Sequence, residues 1–137
     1  MSQINVPSQG YRLFSLVRND GTLTLTDGDV VRWSTGANKI LGVDVVKASS
    51  STQFLAGVIS GGDIAPGSLG QMQHRGVHER VKTTDSGVIL GTQVVASGSA
   101  GKCSNELGGE PVSQVLGLAL SSSAGSSGSQ TAAIDIF

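Results

Sequence analysis

His74 and His78 stand four residues apart with Glu79 beside them, a grouping whose side chains can ligate a metal ion or carry a proton. On a strand, positions i and i+4 share a face but lie about 13 Å apart at about 3.3 Å per residue. One ion cannot bridge that gap. A third ligand is missing too, because Cys103 is the only cysteine and belongs to no ligand spacing. A glycine bulge at Gly76 would also turn the two rings to opposite faces. The expectation is solvated strand histidines and no metal site.

Other groupings fail in the same way. ASGSAGKC (96–103) carries Gly-Lys, but a phosphate loop needs glycine five positions earlier and Ser or Thr after the lysine. Ala96 and Cys103 occupy those places, so the segment reads as a hairpin turn. No serine sits in a G-x-S-x-G elbow. Asp27, Asp29, Asp44 and Asp63 lie at turns, where carboxylates satisfy backbone donors. These readings point away from an enzyme and from any cofactor. A different chemistry is concentrated near the N-terminus, where Tyr11, Arg12, Phe14 and Arg18 bring together aromatic and arginine side chains of the kind that anchor protein interfaces.

The elements that would position these residues are strands. With 137 residues the chain suffices for one domain with a real core. Twenty glycines, 14% charged residues and frequent turn signals describe an all-β domain. A net charge of −1 advertises neither nucleic acid nor an anionic membrane as partner. No apolar run approaches the roughly 18 residues of a membrane helix. The single cysteine fits a reducing compartment, and MSQINVPSQGYRLF lacks the basic and apolar regions of a secretory signal, so cytosolic synthesis is expected.

Residues 1–21 show little periodicity and read as an N-terminal arm, with YRLFSLVR either an arm or a first strand; residues 22–137 read as the β domain. TLTLT (22–26) alternates as a strand with one buried face. Further strands are expected within 41–48, 53–60, 70–84, 91–97, 101–106, 112–120 and 131–137, with 70–84 long and kinked by a bulge at Gly76. Leu116, Leu118 and Leu120 should share one face, and Ile134 and Ile136 another. Trp33 reads as a core or rim plug. The segment 121–130, SSSAGSSGSQ, reads as a flexible loop. The last strand should close the sheet, so loss of the last five residues should destabilise the fold.

The chain also repeats itself. DGDVVRWSTGANK (27–39) is echoed by LGTQVVASGSAGK (90–102), and FLAGVI (54–59) by VLGLAL (115–120). The repeated positions are turn glycines and strand Val or Leu, so the echo marks a pseudo-symmetric barrel and not a duplicated site. Function is expected in the parts that do not repeat.

The order GD-V-V, LGV, LAGVI, GVHERVKTT, GVILGTQVV, GKCSNE, VLGLAL and a closing AIDIF resembles small phage capsid decoration (cement) proteins over about residues 22–137. The resemblance implies a small β-barrel or β-tulip domain that binds the outer surface of a virion's head after assembly in the host cytoplasm. It implies the major capsid protein as partner, self-association as a homotrimer more readily than a dimer, and no catalytic residues. Tyr11, Arg12, Phe14 and Arg18 then become candidate contacts with coat or sister subunits. On that reading, deleting residues 1–18 should leave a folded domain unable to decorate shells. Alternative readings are a domain of a tail or head fibre, which would normally be longer, and a carbohydrate-binding β-domain, which would normally show more aromatics.

Overall fold

The computed structural model describes residues 12–35, 38–50, 53–106, 108, 110–111, 114–123 and 130–137. Nine strands follow one another: β1 (Leu13–Asn19), β2 (Val30–Trp33), β3 (Asp44–Lys47), β4 (Leu55–Ile59), β5 (Leu69–Thr83), β6 (Gln93–Ala96), β7 (Cys103–Asn105), β8 (Val115–Ala119) and β9 (Gln130–Ile136). There is no α-helix among the described residues. The chain is all-β, as its glycine-rich, turn-punctuated sequence requires.

Pairing closes the strands into rings. β1 pairs with β3, β3 with β2, β2 with β4, β4 with β5, and β5 returns to β1. A second five-stranded ring runs from β5 through β7, β6, β8 and β9 back to β5. The long β5 is a wall of both. Closed rings remove the unpaired edges that make open sheets aggregate.

The sequence echo is this architecture written twice. In each ring one pairing is parallel, β1 with β3 and then β5 with β7, and the rest are antiparallel. Val31 pairs with Gly57 and Val94 with Gly117, and in both rings the register slips immediately afterwards. The pseudo-repeated barrel expected from the echo is present, and it takes the form of two rings. Each half, helped by the shared β5, closes a ring of its own.

Two apolar clusters fill the rings. Val17, Leu25, Val31, Val45, Ile59, Ile64 and Met72 form the first. The second gathers Val81, Val88, Val94, Cys103, Leu116, Ile134 and Ile136 with neighbours, and also takes in Val30, Ala48 and Val58 from the first half. Adjacent strand residues point to opposite faces, so Val30 serves the second core while Val31 serves the first. The halves are also joined by backbone: Val30 N–H donates to the Gly101 carbonyl (2.9 Å), Gly101 N–H to Ala48 (2.8 Å), and Lys82 N–H to Gly28 (3.0 Å).

Several expectations need correcting. Of the two readings left open for YRLFSLVR, the first strand is the one seen: residues 13–19 are β1, held on both sides by β3 and β5, with Val17 fully buried. Deleting residues 1–18 would therefore remove a barrel wall and would not leave a folded domain. TLTLT forms a single bridge, Leu25 to Ile64; Leu25 is buried while Leu23 is exposed. Gly76 has a positive φ of 93°, but the register slips lie on either side of it, between Gln73 and Arg75 against β1 and between His78 and Val81 against β9. Gly76 marks where β5 leaves one ring for the other. Leu116 is buried, Leu118 half-buried and Leu120 exposed, because the slip at Val94/Val95 breaks the alternation in β8. Ile134 and Ile136 share the buried face, as expected. The predicted 121–130 loop lies, from 124 to 129, outside the described residues.

Candidate docking surface

Alternation along β1 sends Val17 into the first core and Phe14, Leu16 and Arg18 outward. Leu16 pairs with Gln71 and Arg18 with Leu69 on β5, so Leu69 is a diagonal neighbour of Leu16 on the outer face. Phe14 is 42% exposed, Leu16 65% and Leu69 59%. The seam between β1 and β5 thus carries an apolar strip that neither core uses.

The four candidate residues from the N-terminal segment separate here. Phe14 lies on the strip. Arg12, beside it, reaches Glu79 at 3.6 Å with both side chains exposed. Arg18 is committed elsewhere: its Nε donates to Asp44 Oδ1 at 2.7 Å across the parallel β1–β3 pairing. That hydrogen bond, with the N–H of Ile40, holds the Asp44 carboxyl below the usual carboxylate range. Arg18 is a strand lock. Tyr11 lies outside the described residues. Leu16 and Leu69 were missed in the sequence, although the two-residue period through Phe14, Leu16 and Arg18 was there to find.

The histidines also resolve. His78 is buried, not solvated. Its Nδ1 accepts the Arg80 N–H at 3.1 Å, so the proton of the neutral ring sits on Nε2, which faces the Ile59 carbonyl at 3.1 Å and Asp27 Oδ1 at 3.3 Å. Burial pulls the His78 pKa below its ordinary value, against the opposing effect of Asp27. With its one lone pair occupied, the ring is not placed to take a proton from a substrate. Burial pushes Asp27 upward, but the Gly61 N–H, Arg80 and His78 outweigh it, and the carboxyl sits below the usual range. Cys103 is fully buried, which pushes its thiol up to about 12 and keeps it protonated.

Of the remaining turn carboxylates, Asp29 satisfies a backbone donor as the sequence suggested. Asp29 is buried where the rings meet; it accepts the Thr26 N–H at 2.7 Å and is flanked by Lys82 Nζ at 2.9 Å and Lys47 Nζ at 3.6 Å. Lys82 Nζ also donates to the Thr26 hydroxyl. Among the described residues, no three His, Cys, Asp or Glu side chains group as a metal site.

No family model and no curated protein matches the sequence. A solved structure does resemble it: the head fiber gp8.5 N base of bacteriophage phi29, with a TM-score of 0.56 at 16% identity, over 93% of this chain and 98% of that one. The likeness is one of fold. It covers too much of the chain to rest on one ring alone, so the paired arrangement is shared and not merely a barrel.

Proposed function

We propose that the chain is a structural protein of a phage head, attached to the outside of the shell, with no catalytic role. The observation that carries this reading is the fold shared with a phage head fiber base along nearly the whole of both chains. More finely, it acts as a decoration protein that bridges neighbouring major capsid subunits. The exposed strip of Phe14, Leu16 and Leu69 supports that part, since a closed barrel gains nothing from displaying such side chains to water. Arg12 at its margin supplies the polar rim typical of interfaces. Association as a homotrimer would present three strips at once, so that modest single contacts sum to durable attachment. Nucleic acid and membrane have no part in this reading, given a net charge of −1.

A second reading, the base of a head fibre, is favoured by the name of the structural neighbour itself. Co-sedimentation of the purified chain with heads lacking it tests both. Phe14→Ser with Leu16→Ser should fold normally and lose binding by at least about tenfold. Undiminished binding would remove the strip from the account. Electron microscopy of the decorated heads separates the readings: density at every equivalent lattice position fits decoration, and sparse projecting density fits a fibre base.

A further inference from the structure

The two rings are built to one plan, so positions where they differ show what the plan does not demand. Val94 pairs with Gly117 as Val31 pairs with Gly57, which sets Val95 against Arg32 and Ala96 against Trp33. Val95 and Ala96 are both buried, small and apolar. The first ring replaces them with the largest cation and the only tryptophan of the chain. The link from β2 to β3 is also longer than that from β6 to β7, and the extra length carries Ile40 and Leu41, 53% and 74% exposed.

These additions enclose a hollow of about 510 Å³ lined by Arg32, Trp33, Thr35, Leu41, Gln53 and Phe54. Trp33 closes its floor by packing on the first core, and Phe54 is 64% exposed at its wall. The Gln53 side-chain Oε1 accepts the Ser49 N–H at 2.7 Å, which fixes the link before β4. Arg32 is the polar wall. Its Nη1 donates to the Trp33 carbonyl at 3.1 Å, its Nε is buried without a partner, and no carboxylate among the described residues pairs with it. A guanidinium held at an apolar hollow without a counter-charge matches a carboxylate from outside.

We propose that this hollow docks a segment of another protein that presents an apolar or aromatic side chain next to a carboxylate. The side chain enters between Trp33 and Phe54, and the carboxylate pairs with Arg32. This rests on the proposed function for the partner's identity, a shell protein, but not for its chemistry. β2 neighbours neither β1 nor β5 in the first ring, so the hollow is a second contact separate from the apolar strip. A protein that bridges two subunits needs two such contacts.

Trp33 is the only tryptophan, so its fluorescence reports on the hollow directly. The full chain is panned against a displayed library of random twelve-residue peptides, and selected peptides are titrated while that fluorescence is followed. Binders should carry Asp or Glu within two residues of an aromatic or branched side chain and should shift the emission. Arg32→Val places the second ring's own residue at this position and so should fold; it should weaken binding by about tenfold or more. Binders without a carboxylate, an unmoved emission, equal affinity for Arg32→Val, or failure to select any binder would overturn the proposal. So would a wild-type dimer that Arg32→Val dissociates, or selective capture of acidic glycans instead of peptides. Co-sedimentation with heads keeps the two ideas apart. Heads bound equally by wild type and Arg32→Val retain the function and refute the hollow, whereas acidic peptides lost with Arg32→Val but no binding to heads do the reverse.

Discussion

Replacing Gly57 or Gly117 by alanine tests the doubled architecture at two equivalent points of close strand approach. A Cβ on Gly57 would stand 2.4 Å from the Gln73 carbonyl oxygen, and one on Gly117 2.0 Å from that of Asp135. Both obstacles are backbone of the neighbouring strand, β5 in one ring and β9 in the other. Carbon–oxygen contacts settle near 3.3 Å, so each strand must retreat by roughly 1 Å. Overpacking of this kind costs about 1–3 kcal/mol, and the upper end applies where no side chain can move aside. Each variant should lose about 3 kcal/mol in urea unfolding, or about 10 °C in melting temperature for a chain of this size. Gly62→Ala and Gly98→Ala are the controls: neither glycine has positive φ and neither Cβ meets an atom within 4 Å. They should be neutral or gain up to about 1 kcal/mol. If Gly57→Ala and Gly117→Ala behave like the controls, the strands do not approach as described and the reasoning fails.

Asp29→Asn leaves two lysine ammoniums beside a buried neutral amide where the rings meet, and should cost about 3 kcal/mol, read by urea unfolding. His78 has a lowered folded pKa, so below about pH 6.5 the unfolded chain binds the extra proton; stability should fall as pH drops through that window, and His78→Gln should flatten that part of the profile. Asp27, Asp20 and Asp44 have lowered folded pKa values, so their contribution is present above the unfolded value near 3.8 and is lost as pH falls through the folded ones, giving a separate acid limb. Removing residues 133–137 strips Ile134 and Ile136 from the second core along with most of β9, a loss of about 5 kcal/mol or more against a typical total of about 5–15; circular dichroism melts should show no cooperative transition.

The strands and the repeat were legible because turn glycines and Val-Val pairs are local signals. A closed barrel was expected as well, but not a second ring through the same strand: that depends on β5 meeting β1 with one half and β9 with the other, and the change of facing at Gly76 reads from sequence as a bulge. β1 was left open between arm and strand by its own surface chemistry: Phe14 and Leu16 point outward, and Val17 is its only fully buried apolar side chain, the reverse of a hydrophobic-in strand. The burial of His78 followed from Asp27 and Ile59, brought to it by the first ring. Arg18 looked like an interface arginine until its partner Asp44 arrived on the next strand of the barrel. The strip at β1 lies outside the repeat, whereas the hollow at Trp33 lies within it, at positions where the two copies differ: Arg32 and Trp33 stand where the second copy has Val95 and Ala96.

Attachment to the outside of a phage head can be seen by cryo-electron microscopy of heads incubated with the purified chain. Paired-barrel density should stand on the outer shell, with the β1–β5 face against coat protein. Density confined to the tail, or heads that remain bare at saturating protein, would contradict it.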